Sequence, residues 1–297
     1  RHNHSPIMIR SLSSFTLAAI CAVTTTTLPA QPNNRPERPA ERLTEDYEFN
    51  VGYSASGGVE GNGGSLGDVA VTSFGGSVRT FRPLDRQGRG LILGLAWEDY
   101  QLDVDPGVPL PDQLRELQLV LGLNYPLNER WTAGVLARPG LASDFDSITS
   151  DDVNLPVLLS LRYTRSPELV WLFGLNVDPF SEYPVIPLVG VRWQFAPQWT
   201  FSLGLPRTGV AYAITEKLTL NGGVSMSGGS FHVGAAQAPG IRDTLLSYRE
   251  IRVGVSADYH LSPALAVGVE MGSTVQRKFD YFDRDFDLDG DNVGYLR

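Results

Sequence analysis

The segment PLVGVRWQFAPQWTFSLGLP, residues 187–206, constrains the fold more than any other feature of the chain. It holds two runs, separated by a short turn at residues 196–198, in which apolar residues alternate with small or polar residues. Side chains that repeat every two residues lie on one face of a β-strand, so each run predicts a strand with one apolar and one polar face. The fold then depends on whether the apolar faces meet a protein core or a lipid bilayer.

The same alternation recurs in about thirteen runs along the chain, for example at residues 117–125 and 251–259. Most runs reach the roughly 9–11 residues that a tilted β-strand needs to cross a bilayer. None keeps a helical period, and no stretch of about 18 apolar residues predicts a transmembrane helix. The chain is therefore predicted to be all-β.

The connections between these runs alternate in length. The short connections follow an aromatic residue at the end of a run and contain turn-forming Pro, Ser, Asn or Thr. The long connections are acidic or glycine-rich and lie at residues 57–68, 103–112, 139–152 and 228–244. Because alternate connections of an up-and-down meander lie at opposite ends, one end has aromatic residues and short turns, and the other has long loops.

This asymmetry is typical of membrane barrels, because Trp and Tyr rings prefer the membrane interface and outer-membrane barrels have short periplasmic turns. We therefore predict an antiparallel up-and-down transmembrane β-barrel of about 12–14 strands whose apolar face contacts outer-membrane lipid. The alternative is a secreted soluble β-sandwich, a binding protein whose apolar faces form a core. Apolar side chains on the opposite face, at Leu158, Val170 and Leu172, favour this alternative.

The N-terminal part of the chain predicts export. Residues 1–30 combine upstream residues with a signal peptide, in which Arg10 precedes a short apolar run and cleavage is expected after Ala30. Residues 31–46 are polar and proline-rich and predict a linker, and residues 47–297 form the barrel domain. The only cysteine, Cys21, lies in the signal peptide, so the exported chain has no disulfide.

The acidic balance of the chain, with a net charge of −9, argues against nucleic-acid binding, which requires clustered Lys and Arg. The predicted partners are therefore outer-membrane lipid and small solutes. The sequence carries no signal for a particular oligomeric state.

Two motifs resemble an uncharacterised group of bacterial proteins. They are SDFDSITSDD at residues 143–152, which follows a tryptophan-containing strand, and PRTGVAY at residues 206–212. On these motifs the chain resembles the domain-of-unknown-function family 6268, from about Tyr47 to the end. The resemblance implies an outer-membrane-like β-barrel, and it implies no activity.

Six charged residues fall on the polar faces of the predicted strands and are expected to face the lumen: Glu116, Arg138, Arg162, Arg192, Arg252 and Glu270. In an open pore they would set ion selectivity, and in a closed barrel they would pair across the lumen and plug it. The sequence therefore predicts either porin-like passage of small solutes or a structural role at the cell surface, without catalysis and without a cofactor.

Two further motifs suggest other kinds of site. Residues 285–291, DFDLDGD, have the pattern of the first half of a calcium loop, with Asp285, Asp287 and Asp289 as candidate ligands. Such a loop needs a Glu where this chain has Leu296, so a solvated acidic loop is the preferred interpretation. A barrel-embedded hydrolase would need a nucleophile, such as Ser230, activated by His232 or His260.

The C-terminal residues predict an incomplete strand. The run at residues 264–278 is about the thirteenth, so it ends among the long loops. Bacterial single-chain barrels usually have an even number of strands, so a fourteenth must return, and residues 292–297 have the pattern of its first half. We expect the natural chain to continue beyond Arg297, which reading the gene past that codon would test.

Overall fold

The computed structural model describes residues 44–61, 63–204, 207–234, 241–262 and 264–297. The expected signal peptide and most of the expected linker lie outside these residues, and the first strand begins at Thr44, within the expected linker. The strand segments are β1 (Thr44–Gly61), β2 (Gly64–Pro83), β3 (Gly90–Val104), β4 (Gln113–Pro126), β5 (Trp131–Ala137), β6 (Gly140–Ser143), β7 (Val153–Asn154), β8 (Val157–Ser166), β9 (Leu169–Val177), β10 (Val185–Ala196), β11 (Trp199–Leu203), β12 (Arg207–Ala213), β13 (Leu218–Val233), β14 (Thr244–Ser262), β15 (Leu265–Tyr281), β16 (Phe286–Gly290) and β17 (Gly294–Leu296). A single-turn 3-10 helix, Ser150–Asp152, precedes β7.

These segments form one antiparallel sheet that closes on itself. Three barrel strands consist of two segments each, namely β5 with β6, β7 with β8, and β16 with β17. The last strand pairs with the first, with Tyr53 opposite Leu296 and Val59 opposite Gly290. The result is a closed antiparallel barrel of 14 strands, which confirms the predicted fold class and excludes the β-sandwich.

The outer face of the barrel is apolar. In β4 the side chains of Leu117, Leu119 and Leu121 are 47%, 51% and 43% exposed, whereas Gln118 and Val120 between them are each 3% exposed. The exposed leucines point outward and the buried pair points into the barrel, because successive side chains of a strand alternate between its faces. The barrel therefore presents leucine rows to its surroundings and a mixed face to its lumen.

Aromatic side chains form a row on the outer face, next to the short turns. The row contains Trp131, Tyr163, Trp171, Trp193, Phe195, Trp199 and Tyr212. Ring centroids are 4.6 Å apart both for Trp131 with Tyr163 and for Trp199 with Tyr212. We call this the turn end of the barrel and the opposite end the loop end.

Two segments predicted as long loops are largely strand. Residues 57–68 lie mostly in the hairpin of β1 and β2, and β13 continues to Val233. Their glycines suggested loops. Gly57, Gly58 and Gly61 instead lie where side chains crowd, since a Cβ on Gly61 would lie 2.6 Å from Leu288 Cδ2, whereas Gly63, with a φ of 78°, lies at the hairpin turn. Val59, between Gly58 and Gly61, and Val69, just after this segment, are fully buried. Within β1, therefore, glycine makes room for packing.

The last barrel strand begins earlier than predicted. Its first segment, β16, lies within the residues predicted to form an acidic loop. Asp287 and Asp289 alternate there with Leu288, which is buried in the barrel. Because these carboxylates lie on the outer face, they suggested a solvated loop, although the inner face of the strand is apolar. The continuation beyond Arg297 stays a prediction.

An apolar core fills one side of the barrel at the loop end. Its residues come from β1–β4, β6 and β13–β16, and three connections contribute Val108, Leu110, Phe180 and Ile241. Segments β6 and β13 are not neighbours in the barrel, yet Ser143 pairs with His232 and joins the two walls across it. Within the described ranges, β7–β12 add no side chain to this core. The wall of β8–β12 therefore stands beside the core rather than against it.

Candidate functional site

Five of the charged residues predicted for the lumen alternate along strands with outward side chains, such as the exposed Leu117, Trp193 and Met271, and Arg138 lies in a connection. They are Glu116 in β4, Arg138 between β5 and β6, Arg162 in β8, Arg192 in β10, Arg252 in β14 and Glu270 in β15. Arg138 is close enough to the Glu116 carboxylate for their charges to interact. Their role in ion selection stays a prediction, but the structure divides them into charges that have partners and charges that have none.

Three charged residues form a buried ion cluster, which consists of Glu250, Arg252 and Arg277. Arg252 Nη2 lies 2.7 Å from Glu250 Oε2, and Arg277 Nε lies 3.4 Å from Glu250 Oε1. The Ser54 hydroxyl of β1 donates to Glu250 Oε2 at 3.0 Å, and Arg277 Nη1 donates to the Val69 carbonyl at 2.9 Å. The cluster thus ties β14 and β15 to the first two strands, where the barrel closes.

Sequence periodicity identified Arg252 but missed Arg277. Along β15 the inward positions continue from Glu270 to Thr274, and strict alternation would then place Gln276 inside. The register shifts there, because Ile251 pairs with Gln276 while Arg252 pairs with Thr274. A β-bulge of this kind reverses the faces of all the following residues, so Arg277 points inward.

A second paired group surrounds Tyr295 in the last strand. The Tyr295 hydroxyl donates to Glu270 Oε1 at 2.8 Å, and the same carboxylate forms an ion pair with Arg207. The Arg252 guanidinium lies over the Tyr295 ring, 5.0 Å from its centroid. The ring occupies space left by Gly254, where a Cβ would overlap the tyrosine hydroxyl. Glu270 is therefore a paired residue.

Arg162 and Arg192 differ from the other lumen charges. In the part of the chain that the structure describes, neither has an ion pair or a side-chain hydrogen bond. Arg162 lies opposite Leu172 of β9, and Arg192 lies opposite Val170 of β9 and Ser202 of β11. Two guanidinium groups without anionic partners therefore face the lumen from the wall beside the core.

At the loop end, His232 connects three parts of the chain. Its Nδ1 lies 2.8 Å from Asp152 Oδ1, and its Nε2 lies 2.9 Å from Asp243 Oδ1. Burial lowers the pKa of His232, but hydrogen bonds and charge attraction from the two carboxylates outweigh it, and the net pKa is raised. Met226 is the last outward-facing apolar side chain of β13. His232 lies further toward the loop end, outside the apolar band. We call the Asp152–His232–Asp243 arrangement the histidine clamp.

The contacts of His232 in the histidine clamp argue against the barrel-embedded hydrolase. Ser230 and His232 lie two residues apart in β13 and therefore share a face. Both ring nitrogens of His232 are occupied by carboxylates, so neither is available to take a proton from a serine hydroxyl. The other histidine, His260, lies at the turn end, next to the connection from β14 to β15.

The candidate calcium ligands are placed in a hairpin. Asp285 occupies a turn with a positive φ of 49°, and Asp287 and Asp289 lie in β16. The Asp287 carboxylate is 2.9 Å from Lys278 Nζ. Across the described ranges, no group of three or more His, Cys, Asp or Glu side chains could hold a metal ion. Calcium binding there stays the less favoured hypothesis.

These features define the class of protein: a closed up-and-down β-barrel with an apolar exterior and charged residues in its lumen. The chain belongs to the family described as a domain of unknown function, DUF6268, whose model matches residues 94–287, more than half of the chain. The match is narrower than the resemblance expected from Tyr47 onward. The described residues include no helix long and apolar enough to cross a membrane.

Several solved structures are similar in fold. A Pseudomonas aeruginosa FadL homologue is 12% identical, with 86% of this chain and 87% of that chain covered and a TM-score of 0.42. A deltaS2 mutant of the TodX monoaromatic hydrocarbon channel is 9% identical, with 87% and 90% covered and a TM-score of 0.38. A mutant Rh. blastica porin is 8% identical, with 86% and 99% covered and a TM-score of 0.27. Such distant similarities carry no functional information. Comparison with curated proteins finds no match.

Proposed function

We propose that this protein is an outer-membrane β-barrel that passes small solutes along the β8–β12 side of its lumen, without catalysis and without a cofactor. One observation carries the proposal. Leu172 points inward and is nevertheless 43% exposed, so water-accessible space lies next to it. The apolar core fills the other side of the barrel, where β1–β4 and β13–β16 meet.

The apolar exterior supports a location in the outer membrane, with lipid as the partner of the leucine rows and the aromatic row. Four of the five tryptophans, namely Trp131, Trp171, Trp193 and Trp199, would then lie near the lipid headgroups. In liposomes, lipids brominated close to the headgroup should quench these residues strongly. Quenching by water-soluble acrylamide alone would contradict the membrane location.

Conductance measurements test passage directly. In a planar bilayer the refolded protein should give small single-channel currents, and the substitutions Arg162→Ala and Arg192→Ala should shift the reversal potential toward cation preference. Unchanged selectivity in a conducting double variant would mean that these arginines do not line the path.

The apolar core favours a second candidate, a structural role at the cell surface. Its side chains exclude water from the loop end on one side of the barrel, and the histidine clamp holds the connection before β7 over it. A complete lack of conductance in correctly folded protein would support this role and overturn the proposed passage.

A further inference from the structure

An apolar stripe extends along the lumen wall from Arg162 and Arg192, the two arginines without anionic partners. It consists of Leu136, Leu158, Leu172 and Leu188, from four neighbouring strands. Leu136 pairs with Leu158, and Leu158 and Leu188 lie over Gly174, where a Cβ would be 3.5 Å from Leu158 Cδ1 and 3.4 Å from Leu188 Cβ. These leucines face the lumen because their strand neighbours Leu159 and Val189 are on the exposed outer face.

The arginines lie at one end of this stripe. Arg162 is four residues from Leu158 along β8, which corresponds to roughly 13 Å at the usual strand rise. Arg192 lies two strands away, in β10. The Cα atoms of the two arginines are roughly 12 Å apart from strand spacing and rise, so their long side chains can reach a common anion. The arginines lie on the side of the stripe nearer the turn end of the barrel, and the leucines extend from them toward the loop end.

In the described part of the chain, the other cations of the lumen have anionic partners or neighbours, and for Arg138 the neighbour is Glu116. Arg79 pairs with Asp46 and Glu48, Arg207 pairs with Glu270, and Arg252 and Arg277 share Glu250. The unbalanced positive charge of the described lumen wall is therefore concentrated at the end of an apolar surface. A ligand complementary to both features carries an anionic group at one end and an apolar body at the other.

We propose that this wall binds a small amphipathic anion, a carboxylate with an unbranched apolar body of medium length. The carboxylate lies between Arg162 and Arg192, and the body lies along the stripe against Leu172, Leu158 and Leu188. The inference deepens the proposed function by naming the class of solute, and it rests on that function for the access of solute to the lumen. Burial of the apolar body adds affinity that a bare anion lacks.

Equilibrium titration calorimetry with the folded protein in neutral phosphatidylcholine nanodiscs tests this site, with empty nanodiscs as the blank. The probes are octanoate, acetate, 1-octanol and octyltrimethylammonium, all at pH 7.5. Octanoate should bind saturably and at least tenfold more tightly than each of the other three. The double variant R162Q/R192Q should lose at least tenfold in octanoate affinity. The matched control R86Q/R130Q, which removes two exposed turn arginines, should stay within twofold of the parent.

Equal binding of octanoate and octyltrimethylammonium, or an unchanged affinity in R162Q/R192Q, would overturn the proposal. Equal binding of acetate and octanoate would overturn the role of the apolar stripe. Cold SDS gels, in which folded barrels migrate differently from heated ones, establish that each variant is folded. Because the titration measures binding at equilibrium, octanoate binding by a non-conducting barrel would support the site and reject passage, whereas conductance without binding would do the reverse.

Discussion

Glu250 is the single residue on which the buried ion cluster depends. It is fully buried and is the anion that neutralises Arg252 and Arg277, both of which are also buried. Two guanidinium groups deprived of their common anion inside a barrel wall would repel each other and lose charge-assisted hydrogen bonds. We therefore expect this carboxylate to control stability at the point where the barrel closes.

Substitution of Glu250 by Gln should destabilise the barrel by about 3 kcal/mol or more, because removal of one partner leaves uncompensated buried charges. Urea unfolding in detergent micelles measures the change. Glu129→Gln in the exposed turn after β4 is the matched control and should change the free energy of unfolding by less than about 0.5 kcal/mol. Equal effects of the two substitutions would show that the cluster contributes nothing specific.

Gly254 is a second residue whose substitution should lower stability, because the Tyr295 ring packs against it. Gly254→Ala should cost about 1–3 kcal/mol, because the added Cβ overlaps Tyr295 and lies 2.6 Å from the Met271 carbonyl oxygen. Gly222→Ala is the matched control, since its Cβ would meet only Val255 Cγ1 at 3.8 Å. The same unfolding measurement compares the two variants. If Gly254→Ala were as stable as Gly222→Ala, the docking of Tyr295 would not be tight.

At the level of elements, the histidine clamp joins the end of β13 to the connection between β6 and β7. Asp152 caps the 3-10 helix by accepting from the Thr149 amide, and Asp144 Oδ2 accepts from the Gly234 amide at 3.0 Å. His232 must carry protons on both nitrogens to donate to Asp152 and Asp243 together. The protonation of one imidazole therefore affects how two connections are held at the loop end.

The raised pKa of His232 predicts that the clamp weakens as pH rises. A group whose folded pKa is above its unfolded value contributes stability fully below the unfolded pKa of about 6.5, and that contribution is lost as pH rises through the folded pKa. Amide hydrogen exchange of residues 144–152, corrected for intrinsic rates, should therefore become faster with increasing pH. His232→Gln should remove this dependence, and His260→Gln should retain it. An identical profile in His232→Gln would contradict the clamp.

At the level of the whole molecule, the core and the wall of β8–β12 divide the barrel into a filled side and an open side. All fourteen barrel strands share one sheet, but among the residues that the structure describes only β1–β4, β6 and β13–β16 supply strand side chains to the core. The contact between β6 and β13 marks the edge of the core across the barrel. The proposed solute passage then follows the wall beside this boundary.

Leu172→Trp should reduce single-channel conductance at least twofold, because it fills lumen space on the open side. The matched control is Leu159→Trp, which adds the same side chain to the outer face of the neighbouring strand and should leave conductance unchanged. Planar bilayer recordings at high salt make the comparison. Equal conductance in both variants would place the path elsewhere.

The sequence alone determined the class of fold. Period-two alternation and the alternating connection lengths depend on local residue order, so they predicted the barrel, the aromatic row and inward positions for Arg162 and Arg192. Tertiary structure alone decided the pairing of Glu270 with Arg207, the inward turn of Arg277 after a bulge, and the strands at residues 57–68 and 286–290. It also decided that an apolar core fills one side. The ion pair and the core depend on which residues meet across the barrel, and a contact of that kind leaves no periodic signal in the order of residues. The bulge and the extra strand lengths depend on the register of neighbouring strands, which the sequence alternation does not fix.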